Sequence, residues 1–386
     1  MKITIRKAAA IRATILFIVL LLGLKPSGLV AAFPRLDSPF DLGRMICLVI
    51  VGGLYVLKKK VPSTVAMLIY SLYAFFFVVA YTCDKYTTDL LLNCIAMFLV
   101  IGIIDVFGNS WEDLNGGLFG FFEIIMYVNF ATMLMGGINN KSGSYLLGSK
   151  NELLIYIIPT VLVALLRINI KGNQLRSYAL IGVCIASIAM AASATAVVSA
   201  MVFLLVYGLL KSGRRITAKK AFGIGIVVDL VLTTTITAIQ KTKAFLWFVS
   251  SVLNKSTTLS GRDSVWQSAA EFILRHPIIG NGYGAMVPYE KSGNVLSASH
   301  AHNQYLQMLL TGGVIAFLIF FAINIISTRR IDRVKLTKAT AHYAFIASLS
   351  AIYTAYLTEA YTKIWWIYIV YILAYYYSKA AKATEK

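Results

Sequence analysis

Apolar stretches of about the length that a helix needs to cross a hydrocarbon core recur along the whole chain. They lie near residues 13–33, 42–57, 62–82, 90–106, 118–136, 152–167, 175–191, 194–210, 221–239, 303–327, 340–357 and 363–379. In lipid every backbone amide must be satisfied within its own element, so such runs become helices rather than open strands. The expected fold is therefore all-α: a polytopic membrane bundle of about twelve transmembrane helices. Composition agrees, with 59% hydrophobic and 13% charged residues over 386 and a mean hydropathy of +0.75. A soluble globular chain carries about a quarter charged residues.

A net charge of +20 is what a nucleic-acid binder would carry, but the basic residues are not gathered on one face among stacking aromatics, so no nucleic-acid partner is expected. They fall instead in alternate loops: Lys2/Arg6/Lys7/Arg12, Lys58–Lys60, Arg167/Lys171/Arg176, Lys211–Lys220, Arg329–Lys338 and Lys379–Lys386. By the positive-inside tendency this places both termini in the cytoplasm. The loop at 107–117, with Glu112 and Asp113 and no cation, does not add to that argument. The first run has a basic start and small residues at Ala31-Ala32, as a cleavable signal would. Its length from Ala13, and the spans after it, favour a retained anchor. Cys47, Cys83, Cys94 and Cys184 form no C-x-x-C pair and fit packing roles, with a Cys83–Cys94 disulfide as the alternative.

This topology divides the chain into an N-terminal bundle at 1–239, an extracytoplasmic loop at 240–302 and C-terminal spans at 303–386. A polar, titratable segment between spans is costly unless it borders water or substrate, so chemistry is sought there. Lys241 and Lys243 precede an apolar-aromatic stretch, 244–253, fit for an interfacial helix. Ser260-Gly261-Arg262-Asp263 has capping-box spacing and opens an amphipathic helix to Arg275, with Val265, Trp266, Ala269, Phe272 and Ile273 on one stripe. His276-Pro277 stops it, and Gly280, Gly282 and Gly284 read as a turn-rich connection rather than a dinucleotide fingerprint, because no strand precedes them. The chain then stays polar to Ser299. His302, Leu306, Leu309 and Gly313 share one stripe of the next helix, placing His302 at its outer mouth. Such a histidine either anchors the helix end or handles protons.

The run Ser260-Gly261-Arg262 to Trp266, then His276-Pro277-Ile278-Ile279-Gly280-Asn281-Gly282-Tyr283-Gly284, then His302-Asn303 and Gly312-Gly313, resembles the signature region of the O-antigen ligase and Wzy-type polysaccharide polymerase family. In that family a His followed by Asn, Ser or Gln precedes a Gly by nine residues. Here Gln304 to Gly312 are the nine and Gly313 is the glycine, while Ala316 stands where Gly, Thr or Tyr is usual. The motif-bearing part covers roughly 255–320. The family often has an arginine at the outer end of an upstream span, where this chain has Ser193-Ala194-Thr195.

The resemblance implies transfer of a glycan from an undecaprenyl-diphosphate carrier to a sugar hydroxyl, with inversion, at the outer face of the bacterial cytoplasmic membrane. It implies neither cofactor nor metal. His302 would accept the hydroxyl proton and Arg262 would grip the departing diphosphate, a planar guanidinium being suited to phosphate oxygens. With the upstream arginine absent, Lys241, Lys243 or Arg275 would supply further charge. Trp266 and Asn303 complete the candidate substrate contacts. Glu359 reads as a sugar contact or auxiliary base, or as an interfacial carboxylate. His300 either supports His302 or is solvated. Asp229 and Glu123, inside apolar runs, line a carrier path or pair within the bundle, and Trp365/Trp366 with the tyrosines after them read as an interface belt.

A Lys-, Tyr- and Ile-rich chain without the upstream arginine favours a capsule or exopolysaccharide polymerase. The alternatives are a ligase using a different acceptor and, in another class, a transporter or flippase for lipid-linked oligosaccharide. The partners implied are the lipid-linked oligosaccharide, the bilayer, and flippase and chain-length regulator proteins.

Overall fold

Each of the twelve apolar runs is helical in the computed structural model, which describes residues 2–108, 111–138, 144–168, 173–239, 262–284, 287–291, 294–298, 300–334 and 339–384. The helices are α1 (Lys2–Leu24), α2 (Ser27–Ala32), α3 (Asp37–Leu57), α4 (Thr64–Thr82), α5 (Thr88–Phe107), α6 (Trp111–Leu134), α7 (Leu154–Arg167), α8 (Gln174–Ala191), α9 (Ala194–Lys211), α10 (Ala218–Ile239), α11 (Arg262–Arg275), α12 (Gln304–Asp332), α13 (Ala339–Thr358) and α14 (Trp365–Thr384). Two antiparallel hairpins accompany them, β1–β2 (Ser144–Tyr145, Gly148–Ser149) and β3–β4 (Val287–Lys291, Asn294–Ala298). Seven of the described helices are long and apolar enough to cross a membrane on their own: α3 to α6, α8, α9 and α12. The chain is an all-α multi-pass membrane bundle.

Four expectations change. The run at 13–33 is not one helix: α1 ends at Leu24, Lys25 adopts φ +44°, and Pro26, which cannot donate a backbone hydrogen bond, leads into α2. Cys83 and Cys94 are free thiols, and the Cys94 Sγ donates weakly to the Tyr73 carbonyl at 3.5 Å. Trp365, Trp366 and Tyr368 are fully buried instead of forming an interface belt. They belong to α14, whose Trp365 packs on Phe122 and Tyr156 and whose Trp366 packs on Tyr356 and Tyr361. Finally, the polar stretch after the glycines contains the β3–β4 hairpin, paired from Val287↔Ala298 to Lys291↔Asn294.

The bundle has two chemically distinct ends. At one, Arg12 pairs with Asp113 at 3.4 Å, Lys58 donates to the Val106 carbonyl at 3.1 Å, and Asp332 accepts the first amides of α10 at 2.7 and 3.1 Å. Asp113, in the first turn of α6, is thus matched by Arg12 of α1. Glu123 is likewise paired within the bundle, by Arg176. The other end carries α2, both hairpins, α11, the 276–284 loop and the α13–α14 connection.

Helix α12 is broken at Gly312 (φ −135°, ψ 17°) and Gly313 (φ 61°, ψ −159°). A regular helix would join the Val314 and Ile315 amides to the Leu310 and Thr311 carbonyls. Here the 277–282 loop takes all four groups. Val314 and Ile315 donate to the Pro277 and Ile278 carbonyls at 2.9 and 3.4 Å, while Asn281 and Gly282 donate to Leu310 and Thr311 at 2.8 and 3.0 Å. Non-helical backbone at membrane depth persists only with such internal partners. The fit demands glycine: a Cβ on Gly280 would lie 2.5 Å from the Gly312 nitrogen, and one on Gly313 would lie 2.3 Å from the Ile278 oxygen.

Gly313→Ala therefore combines a backbone clash with a strained positive φ and should cost about 1–3 kcal/mol, read as a lower unfolding temperature of the detergent-purified protein. Gly120→Ala, in open space on α6, should be neutral or slightly stabilising. Equal behaviour of the two variants would show that the docked loop does not constrain the helix.

Candidate functional site

Docking of the 276–284 loop against α12 positions the segment that precedes the helix. Asn303 caps α12, accepting from the Leu306 amide at 3.0 Å, and its own amide donates to Asp229 of α10 at 2.6 Å. Asp229 thus serves as an anchor for Asn303. Gln304, fully buried, accepts the Tyr361 amide at 2.6 Å and so ties the start of α12 to the α13–α14 connection. Trp266, one turn into α11, donates its indole N–H to the Ala301 carbonyl at 2.8 Å. The residue between these fixed points is His302.

His302 itself has φ +49°, in the left-handed region that a side-chain-bearing residue occupies at a cost of about 1–2 kcal/mol. Strain of this kind persists where surrounding contacts over-determine it, and it is enriched at functional sites. Its Nδ1 lies 3.0 Å from Glu359 Oε1, and His300 Nε2 lies 2.8 Å from the same oxygen. The two imidazoles are 4.2 Å apart, centre to centre. Glu359 is 4% exposed, accepts the Ala360 amide on Oε1 at 3.1 Å and the Asn151 side-chain amide on Oε2 at 2.7 Å. Burial alone would raise its pKa, but hydrogen bonds from His300 and His302, and their charge, hold the carboxyl below the ordinary range. With Nδ1–H of His302 donated to this carboxylate, Nε2 is left as a proton acceptor.

The three side chains open into a cavity of about 320 Å³, also lined by Lys25, Asn151, Glu152, Tyr283, Gln307, Thr311, Tyr361 and Lys363. Their donor atoms lie within 4.8 Å of one another, a grouping that a divalent cation can also use.

The other sequence candidates are distributed around this cavity. Trp266 and Asn303 are buried behind His302 and do not line it. Arg275 is exposed, its guanidinium 4.8 Å from the Phe272 ring centre. Arg262 is the first residue of α11, one turn before Trp266. Lys241, Lys243 and Ser260 lie outside the described residues. Ser193, one residue before Ala194, where the resemblance expects an arginine, caps α9 and donates to Asn151 at 2.8 Å, which in turn donates to Glu359. Asn151, Lys25 and Lys363 were not foreseen, because nothing local in the sequence brings 25, 151 and 363 together. The β3–β4 hairpin had a readable signal in Ser292-Gly293 between two β-prone runs.

Residues 177–321 match the family model described as O-antigen ligase. That span runs from α8 through α11 and His302 to beyond the α12 break. No curated protein is significantly similar to the chain.

Since glycine adopts positive φ freely, His302→Gly should be more stable than His302→Ala by about 1 kcal/mol in thermal unfolding, though neither supplies a base. The reverse order would mean that the backbone at 302 carries no strain.

Proposed function

We propose, from the match of residues 177–321 to the family model described as O-antigen ligase, that the chain is a polysaccharide polymerase acting on undecaprenyl-diphosphate-linked repeat units. The observation that carries the reading is the His302–Glu359 pair lining a cavity, with His302 inside the matched residues and Glu359 brought to it from the α13–α14 connection. His302 Nε2 takes the proton of an acceptor sugar hydroxyl as its oxygen bonds to the anomeric carbon of the donor. The carbon–oxygen bond to the diphosphate breaks on the opposite side, inverting the carbon. Its electron pair leaves with undecaprenyl diphosphate. Glu359 orients His302 and stabilises the imidazolium, while Arg262 neutralises the leaving group.

The reaction is metal-independent in this reading, because Glu359 Oε1 already accepts from both rings and needs no ion to organise them. Twelve spans, both termini in the cytoplasm, and residues 240–302 outside complete the proposal. It is supported by the basic clusters in alternate loops and by the pairing of Arg12 with Asp113 at the end away from the cavity. Single cysteines in a cysteine-free background should label from outside at 262–300 and only from inside at 211–220. The opposite pattern would overturn both topology and mechanism.

Purified protein given repeat units alone should build a ladder of lipid-linked chains. A ligase would remain silent until a different acceptor is added, and a flippase would transfer nothing with any acceptor. In the ladder assay His302→Ala should lose about 10²–10⁴-fold, as for removal of a general base. Glu359→Gln, which keeps the Asn151 contact but not the charge, should lose at least about tenfold. Arg262→Lys should keep partial activity and Arg262→Ala very little. Chelator should leave the rate unchanged; loss restored by a divalent cation would replace the dyad with a metal centre.

A further inference from the structure

The cavity that holds His302 and Glu359 also receives Lys363, four residues beyond Glu359 on the α13–α14 connection. The cations at this end of the bundle are unequally matched. Lys25 pairs with Asp37 at 2.5 Å and Asp41 at 2.7 Å. Arg44 meets Asp41 at 3.4 Å and covers the Leu22 and Gly23 carbonyls at 2.9 and 3.0 Å. Lys363 donates to the Leu24 carbonyl at 2.8 Å, and no carboxylate among the described residues is within 4.0 Å of it. An ammonium has three donors, so that carbonyl leaves two. The carboxylates lining the cavity are themselves occupied: Glu359 by His300, His302, Ala360 and Asn151, and Glu152 by the Ser149 amide at 2.8 Å and Ser27 at 3.3 Å. Burial, then the nearby Arg44, pushes the Lys363 pKa down to about 8, with Glu152 opposing and Lys25 adding to the fall.

We propose that Lys363 binds the diphosphate of the lipid-linked donor in the cavity that presents His302, which places the leaving-group cation four residues from Glu359, the carboxylate bonded to His302. The assignment rests on the transferase reading above. Arg44 and the Lys25 amide serve the Leu21, Leu22 and Gly23 carbonyls, so Lys363 completes the cap of α1 at Leu24, and that bond uses one of its three N–H groups. An anion in the cavity supplies the counter-charge that Lys363 lacks, and its hold strengthens as the breaking bond transfers charge to the diphosphate.

Full-length protein in phosphatidylcholine nanodiscs tests this without turnover. Acylation of Lys363 by an amine-reactive ester, read by mass spectrometry, should slow about tenfold at undecaprenyl diphosphate ten times above its dissociation constant. Acylation of Lys211, at the other end, should not change. Lys363→Met should weaken undecaprenyl diphosphate binding by at least about tenfold, and Lys363→Arg should restore most of it. Equal binding by wild type and Lys363→Met overturns the proposal, whether or not the variant is less stable. So does equal protection by phosphatidylglycerol nanodiscs without diphosphate, which would make the site one for bulk lipid headgroups. Ladder formation that needs His302 but tolerates Lys363→Met refutes this inference alone. Diphosphate binding through Lys363 with no glycosyl transfer refutes the transferase reading and leaves the anion site standing.

Discussion

Four backbone groups severed at the Gly312–Gly313 break organise this end of the molecule. A helix at membrane depth cannot leave amides and carbonyls unpaired, so the 277–282 segment must dock with its own backbone complementary to the gap. That docking fixes where α11 ends and where α12 begins. Lys85 reinforces it from the α4–α5 turn by donating to the Asn281 carbonyl at 2.7 Å, and Asn281 also donates its side-chain amide to the Phe272 carbonyl at 3.0 Å. Gly280 and Gly313 are thus a steric condition of one interface, and substrate binding need not be invoked for either.

What the docking delivers is a rigid approach to His302. Its neighbours on either side are held by Trp266, Gln307, Asp229 and Tyr361, each through a polar contact to a different element. The residue they enclose is held in a left-handed conformation and its ring is turned onto Glu359. Reorganisation of a general base during reaction costs rate, and in the proposed reaction a base oriented by a buried carboxylate and a constrained backbone avoids most of that cost.

Periodicity and length made the helices legible, because a helix in lipid must be both apolar and continuous. His302, Arg262 and the approximate extent of α11 followed from local spacing and from the resemblance. The α12 break was not legible: Gly312-Gly313 suits close helix packing as well as a kink, and only the partner loop decides between them. Trp365 and Trp366 were misassigned because indole side chains favour both the membrane interface and a buried core. The cavity's second wall depends on contacts between residues more than a hundred positions apart, which spacing cannot encode. The contact of Asn151 with Glu359 is of the same kind.

The α13–α14 connection draws these threads into one constraint. Both helices it joins are among the most buried in the bundle, and the short segment between them is pinned at Tyr361 by Gln304 and at Thr362 by the Tyr73 hydroxyl. Glu359 and Lys363 therefore sit on a stiff bracket whose position is set by aromatic packing beneath it, while His302 is set by the loop docked on α12. The two halves of the site meet at one carboxylate oxygen. Changes to the Tyr356, Tyr361 and Trp366 stack should consequently shift Glu359 relative to His302 even though none of these rings touches the carboxylate, because the stack is the packed base on which the bracket rests.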